Sequence, residues 1–462
     1  MTHSELNVSL KRVPRPDPDC TGVPVELSDD TMQERKDKVL TGMKQTGLDA
    51  LIVYADLEHG SNFDYLVGFL PRFEEALLVL HRDGNAYLML GNENLNKASK
   101  SRLPAKAIHT PHFSLPDQPM ETGCSFREIL AKTGIAGKRI GISGWKKFTG
   151  AHDNNLEMYD VPHYIIRAAE ELCGSHNMTN AAGLFIGSEG ARITNTPNEI
   201  AHYEFGASLS SDCVMAAMDS LNEGIREMDA ADHLVRFGQT TSVVTIAAFG
   251  ERYIRGNMYP SSKRLSLGDT VSLTVGYKGG LTSRAGYAAE REDQLPAEVQ
   301  DYCEKLAAPY FRSIAVWLEE IHVGMTGGEL YQLIEEVLPK ADYHWGLCPG
   351  HLTADEEWLC SPIRKGSQEI LKSGMMLQTD IIPSIAGYGG VSAESPCLLA
   401  DKALREAIKK QYPQLYARMM RRREYIIREL GIHLSEDILP TASSLAYMRP
   451  LMLGDQAFTV SH

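Results

Sequence analysis

Hydrophobic residues between positions 28 and 175 follow helical and strand spacing in turn. In DDTMQERKDKVLTGMKQTGLDALIVYA, apolar residues first recur at helical spacing, Gly47 then ends the helix, and ALIVYA continues as a buried strand. EALLVLHRDGNAYLML predicts a hairpin that turns at Asp83-Gly84, and KRIGISG and VPHYIIRA predict two further strands. Helices interleaved with strands predict an α/β domain over residues 28–175.

A second pattern of elements begins near residue 185. In TNTPNE, Thr196 is placed to cap a long helix, Pro197 to open it, and Glu199 to close a capping box. SVVTIAAFG, DTVSLTVGYKGG and LTSRAGYAAERE then predict strands, PAEVQDYCEKLAAPYFRSIAVWLEEI and GGELYQLIEEVL predict helices, and short strands and turns return before residue 400. The pattern predicts a second domain over residues 185–400.

Two segments fall outside these domains. Residues 1–27 are polar and rich in proline, which predicts an arm laid over the surface or over a partner subunit. Residues 401–431 are charged and have helical spacing, and prolines interrupt the thirty residues that follow. We expect residues 401–462 to form a helical and irregular extension packed on the body.

Composition narrows the class of protein. The chain has 462 residues, of which 43% are hydrophobic, and a formal charge of −14, which disfavours binding to nucleic acid or to an acidic membrane. The eight cysteines include no CxxC pair, so reduced thiols are expected. The segment MTHSELNVSLKRVPRPDPDC lacks the apolar core of a secretory signal, and no apolar run approaches the ~20 residues that cross a bilayer. We therefore expect a soluble, cytoplasmic protein.

Several motifs resemble one known family. LSLGDTVSLTVGYKGG, GLCPGH and LKSGMMLQTDIIPSIAGYGGVSAESPCLLAD are similar to the Gly-Asp, Gly-His and paired-glutamate motifs of the pita-bread family of creatinase, prolidase, aminopeptidase P and methionine aminopeptidase. GLDALIVYADLEHGSNFDYLVGF resembles the N-terminal domain of creatinase and prolidase. The resemblance implies an α+β fold, in which a C-terminal pita-bread domain follows an α/β creatinase-type domain, and it implies a homodimer.

The resemblance also identifies candidate site residues. The family binds metal through two aspartates, a histidine and two glutamates, and these positions fall here on Thr274, on Arg284 (or Ala285 without a gap), on His351, on Asp380 and on Glu394. Two further histidines of the family fall near Asn257 and on Trp358. Three of the five metal positions therefore keep an acidic or imidazole side chain.

The substitutions at the first two positions suggest how the site has changed. Two dications held about 3.5 to 4 Å apart need bridging carboxylates, and Thr274 cannot bridge them. Arg284, if it points inward, places a permanent cation where a metal ion would lie. We therefore expect no metal and no other cofactor, as in creatinase, the metal-free member of the family. An alternative is one ion held by His351, Asp380 and Glu394.

The residues suggest the following roles. His351 is the best general acid/base, because the ordinary pKa of histidine lies near neutrality, and Glu394 and Asp380 could orient it or activate water. A structural ion pair between Asp380 and Arg284 is an equal alternative, and a shift of one residue in strand register turns Arg284 away from the site. The expected substrate contacts are Arg284, Thr274, Tyr253, Arg72 and Trp358.

The sequence thus predicts a metal-independent hydrolase of a C–N bond. Its substrate would be a small polar molecule, anionic if Arg284 anchors it, or a short peptide. One alternative is a metal-dependent Xaa-Pro-type peptidase, or a lyase, with a reduced metal site. Another is a non-catalytic member of the family that binds a ligand in the retained cleft.

Overall fold

The computed structural model describes residues 6–120, 123–256 and 259–462. The contacts divide the chain into two compact units. One unit contains residues 27–193, and the other contains residues 1–26 together with residues 194–462. The extension after residue 400 thus lies in the same unit as the Gly-Asp, Gly-His and paired-glutamate motifs. Asn257 lies outside the described residues.

The chain begins with strand β1 (Asn7–Arg12), and the elements of the unit 27–193 follow. Its helices are α1 (Asp29–Thr46), α2 (Ser61–Val67), α3 (Phe126–Ala131) and α4 (His163–Cys173). Its strands are β2 (Ala50–Ala55), β3 (Ala76–His81), β4 (Ala86–Leu90), β5 (Lys106–His109), β6 (Ile140–Ser143) and β7 (Met178–Asn180).

These strands form one sheet with the order β5-β4-β3-β2-β6-β7. Strands β2, β3 and β4 pair antiparallel, whereas β5, β6 and β7 join the sheet in parallel. The hairpin between β3 and β4 turns at Gly84, whose φ of 89° suits glycine, as the Asp-Gly dipeptide predicted. The α/β fold predicted for this region is therefore confirmed.

One predicted strand in this unit is wrong. VPHYIIRA forms the start of helix α4, which follows Pro162 at its N-cap. The β-branched Ile165 and Ile166 favour a strand, but they share the buried face of the helix with Ala169 and Cys173. Burial of this helical stripe against the sheet outweighs the local preference for a strand.

The second unit contains the remaining elements. Its helices are α5 (Pro197–Ser220), α6 (Glu227–Ala231), α7 (Glu251–Ile254), α8 (Ala308–Glu320), α9 (Gly327–Val337), α10 (Lys340–Tyr343), α11 (Lys402–Gln411) and α12 (Pro413–Glu429). Its strands after β1 are β8 (Ile246–Phe249), β9 (Thr270–Tyr277), β10 (Gly280–Tyr287), β11 (His351–Leu352), β12 (Met376–Gln378), β13 (Pro396–Leu399), β14 (Ile438–Pro440) and β15 (Gln456–Ser461). In the described part of the chain, no helix combines the length and the apolar character that a membrane span requires.

The described residues of this unit form three sheets, with the orders β10-β9-β8, β11-β12-β13-β14 and β1-β15. Helix α5 packs along the β9–β10 hairpin and is buried over most of its length. It begins with the predicted capping box, in which the Thr196 hydroxyl accepts the N–H of Glu199 and the Glu199 carboxylate accepts the N–H of Thr196. Mixed helices and strands thus form the α+β architecture predicted for this region.

A buried ion network joins the arm, helix α5 and helix α12. Arg422 donates to both carboxylate oxygens of Asp19, at 2.8 and 2.6 Å, and to Glu204 Oε1 at 2.7 Å. Arg418 binds the other oxygen of Glu204 at 2.7 Å. Arg422 is only 3% exposed, so these charges depend on each other for solvation.

We predict that Arg422→Met destabilises the protein by about 3–5 kcal/mol, because it leaves the buried Glu204 and the partly buried Asp19 without their main cation. Urea denaturation followed by circular dichroism measures the change. Arg428→Met is the matched control, since Arg428 and its partner Glu424 are 67% and 61% exposed and such a pair contributes at most about 0.5 kcal/mol. Equal effects of the two substitutions would contradict a stabilising network.

Candidate functional site

Three neighbouring strand ends bring the candidate acidic and imidazole groups together. His351 opens β11, Asp380 follows β12, and Glu394 precedes β13. Because β11, β12 and β13 pair antiparallel, the start of β11, the end of β12 and the start of β13 lie at one edge of the sheet. One possible ligand atom from each of the three side chains lies within 4.8 Å of the other two. The geometry thus forms a set of one nitrogen and two oxygen donors.

The tautomer of His351 follows from its contacts. Its Nδ1 lies 3.1 Å from the carbonyl oxygen of Leu352, and a carbonyl only accepts, so Nδ1 carries the hydrogen. In the neutral ring, Nε2 therefore presents a lone pair. Nε2 is buried, and within the described chain no hydrogen bond of suitable angle reaches it. A lone pair held in this way is the usual state of a histidine that binds a metal ion.

Glu357 is a member of the site that the sequence did not indicate. Its Oε1 lies 2.9 Å from His351 Nε2, and Asp380 Oδ2 lies 3.7 Å from the same atom. Trp358, predicted as a substrate contact, stacks on the His351 ring with 4.2 Å between the centroids. Trp358 was identified by its spacing of seven residues from His351 in the motif. The short turn that brings Glu357 to the imidazole has no comparable signal in the sequence.

The carboxyl groups of the site repel one another. Burial raises the pKa of Asp380 to about 6; His351 opposes this shift and Glu357 adds to it. Burial also raises the pKa of Glu394 well above its ordinary value, and Asp380 and Glu357 raise it further, whereas Arg284 lowers it. Burial alone would lower the pKa of His351, but Glu357 and Asp380 outweigh burial and raise it. Each shift reflects crowded negative charge in a site of low dielectric, which a bound cation would relieve.

The β9–β10 hairpin presents neutral side chains at the first two metal positions. Thr274 pairs with Ser283 across the hairpin, and their hydroxyl oxygens lie 2.7 Å apart. Directly opposed residues share a face of a sheet and alternate residues return to it, so Ala285 lies on this face and Arg284 on the other. Ser283, which was not among the predicted site residues, is therefore the residue that faces Thr274.

Arg284 is not placed as the sequence suggested. It is 1% exposed, and its five N–H groups are all donated to neighbouring oxygens. The acceptors are the carbonyl oxygens of Ser283, Glu394, Ser444 and Tyr447 and the hydroxyl of Ser395. An anionic substrate would have to displace these bonds, so the expectation that Arg284 anchors a substrate, or pairs with the Asp380 carboxylate, does not match its contacts.

Two other predicted contacts lie elsewhere. Tyr253 belongs to α7, and its hydroxyl lies so close to Gly390 that a side chain there would collide with it. Gly390 precedes Glu394 by four residues. Arg72 is exposed in the unit 27–193, where its backbone pairs with the side chain of Asn94. A role for either residue in binding substrate remains a prediction.

Parts of this chain are similar in sequence to known proteins. Residues 35–157 match the Creatinase/Prolidase N-terminal domain. The chain is 25% identical over 239 residues to the Xaa-Pro dipeptidase of Pyrococcus furiosus, an alignment that covers 48% of this chain and 64% of that protein.

Solved structures extend the likeness to most of the chain. The Xaa-Pro dipeptidase from Bacillus anthracis matches with a TM-score of 0.59 and 16% identity, over 80% of this chain and 94% of that one. The prolidase from Pyrococcus furiosus matches with a TM-score of 0.59 and 19% identity, over 78% and 96% of the two chains. The predicted resemblance is confirmed: the chain has the fold of prolidases, and a creatinase/prolidase N-terminal domain.

The expectation of a metal-independent enzyme is wrong. That expectation rested mainly on the two missing aspartates and on the resemblance to creatinase, the metal-free member of the family. The relatives found are instead prolidases and Xaa-Pro dipeptidases, which are metal-dependent peptidases. The physical reason for the error is that Thr274 removes a bridge between two ions, whereas His351, Asp380 and Glu394 still form a complete set of donors for one ion.

We predict that Arg284→Lys destabilises the protein by about 2–3 kcal/mol, because one ammonium group has three donors for five oxygens and leaves buried carbonyls unpaired. Urea denaturation measures this loss. Arg291→Lys is the matched control, since Arg291 is 62% exposed and pairs only with neighbouring carboxylates. Unchanged stability together with a raised KM for a cleaved peptide would instead assign Arg284 to the substrate.

Proposed function

We propose that this protein is a metal-dependent peptidase of the Xaa-Pro type that works with a single dication. The observation that carries the proposal is the donor set at the sheet edge, where atoms of His351, Asp380 and Glu394 lie within 4.8 Å of each other. The names of the relatives, Xaa-Pro dipeptidase and prolidase, support the peptidase activity and the type of bond.

The donor set fits one ion. The Nδ1–H of His351 is held by Leu352, which leaves the lone pair on Nε2, 3.7 Å from the Asp380 carboxylate, as a donor for an ion. One nitrogen and two oxygens suit Mn²⁺, Co²⁺ or Zn²⁺ and leave positions for water and substrate. The hydroxyls of Thr274 and Ser283 bind each other at 2.7 Å and bring no charge to a second ion.

When bound, the ion would polarise the scissile carbonyl and lower the pKa of a water molecule. The residues of the chain supply the remaining parts of the hydrolysis. Glu357, whose side chain is 18% exposed, stands beside the donor set and accepts the proton that water loses as its oxygen bonds to the carbonyl carbon. The same carboxyl group returns that proton to the amide nitrogen as the C–N bond breaks. Trp358 keeps the His351 ring in place by stacking on it.

The proposed substrate is a short peptide with proline after the scissile bond. Trp358, Tyr253 and Thr274 are proposed to contact it, as the sequence suggested. The homodimer implied by the resemblance, in which Arg72 contacts the substrate, is proposed on the same basis. An anionic small molecule is not proposed, since the donors of Arg284 are already bound to oxygens of the chain.

We predict that protein stripped by a chelator hydrolyses Ala-Pro only after Mn²⁺, Co²⁺ or Zn²⁺ is restored, and that it binds about one ion per chain at this site. Mass-spectrometric metal analysis and a ninhydrin assay for proline measure the two quantities. His351→Ala should lose this ion and the activity, whereas His176→Ala, at an exposed histidine of the other unit, should keep both. Full activity of the stripped protein, or two ions lost with His351, would contradict the proposal.

A second prediction concerns Glu357. Glu357→Gln keeps the shape of the side chain but removes its ability to accept a proton, so kcat should fall about 100-fold or more while the ion stays bound. Glu356→Gln is the neighbouring control and should leave kcat near that of the parent protein. If Glu357→Gln lost the ion but kept kcat at saturating metal, Glu357 would be a ligand and not the proton acceptor.

A further inference from the structure

A second group of possible metal ligands lies away from the β11–β13 edge. It consists of Glu319 in the last turn of α8, His433 in the loop after α12, and His462 just after β15. One ligand atom from each side chain lies within 4.8 Å of the other two. The residues come from three distant parts of the sequence, so folding alone brings them together.

Backbone hydrogen bonds hold these three segments in place. The N–H of Val460 donates to Leu430 O at 2.9 Å, and the N–H of Ser435 donates to Leu318 O at 3.0 Å. Phe458 of β15 also stacks on Phe311 of α8, with 5.4 Å between the ring centroids. The side chains of the group therefore project from backbone that is already fixed, which lowers the entropy lost when a ligand binds.

The Glu319 carboxylate orients the group. Its Oε1 accepts the backbone N–H of His433 at 2.8 Å and lies 3.2 Å from His462 Nε2. The side chain of Glu319 is only 9% exposed, and that of His462 is 21% exposed. A carboxylate so shielded from water favours a nearby positive charge.

The two imidazole rings lie face to face. Their centroids are 3.5 Å apart, and the angle between their planes is 3°. A neutral imidazole offers one lone pair to an ion, so the two rings can supply two nitrogen donors. Because the lone pairs of stacked rings lie in two parallel planes, a shared ion requires one ring to turn about its Cβ–Cγ bond, and the exposed residue His433 has room to do so.

We propose that Glu319, His433 and His462 bind one divalent transition-metal ion of the Zn²⁺ type. Two imidazoles and a carboxylate are donors that Zn²⁺ accepts, and water would complete a tetrahedral site. The ion links β15 and the loop after α12 to the end of α8. It therefore acts as a clamp on this part of the fold, separate from the catalytic edge and independent of the proposed peptidase activity.

The test uses the full chain carrying His351→Ala, so that the β11–β13 edge does not bind the added metal. Isothermal titration with ZnCl₂ should show one site, and thermal unfolding should shift to higher temperature with Zn²⁺. Adding His433→Gln or His462→Gln should weaken binding by more than the roughly 10- to 100-fold that loss of an outer-shell partner costs, and should remove the thermal shift.

His176→Gln in the same background is the control for binding to an exposed histidine and should change neither quantity. The proposal is overturned if the His351→Ala protein binds no Zn²⁺, or if the His433 and His462 variants bind it as tightly as the control. Binding without a thermal shift would refute the clamp. None of these outcomes bears on Ala-Pro hydrolysis, which is measured in the protein that retains His351.

Discussion

The buried Nε2 atom of His351 is the constraint on which the site depends. Because Leu352 accepts the hydrogen of Nδ1, the opposite nitrogen has a lone pair, and oxygen atoms of Glu357 and Asp380 lie 2.9 and 3.7 Å from that nitrogen. A lone pair and carboxylates repel one another unless a proton or a metal ion lies between them. The proton is the state that the raised pKa of His351 describes, and the metal ion is the state that we propose for the active protein.

The β9–β10 hairpin beside the His351 site carries the residues that distinguish this site from one that holds two ions. Its register places Thr274 opposite Ser283 and turns Arg284 to the other face, where burial lowers the pKa of the guanidinium to about 10. Four backbone carbonyls and a hydroxyl solvate that cation in place of water. The arginine thus joins β10 to the segments around residues 394, 444 and 447, and its role is structural.

The features of this structure that depend on local patterns could be predicted from the sequence. The capping box at Thr196, the Gly84 turn and the spacing of His351, Asp380 and Glu394 along their motifs are visible over a few residues. The direction of Arg284 was not, since it depends on strand register. The proximity of Glu357 to His351 and of His433 to His462 depends on turns and on contacts between distant segments, which no local pattern encodes.

Charge balance explains why a single ion suits this site. Asp380, Glu394 and Glu357 bring three negative charges when ionised, and the charge of Arg284 lowers the pKa of Glu394 from one side. One dication beside these groups leaves the site close to neutral. A second dication would make it strongly positive, because Thr274 and Ala285, which share one face of the hairpin, hold no charge at the two positions where the resemblance implies carboxylates. In the proposed function, the two missing aspartates therefore limit the site to one ion, and His351, Asp380 and Glu394 are the donors that would hold it.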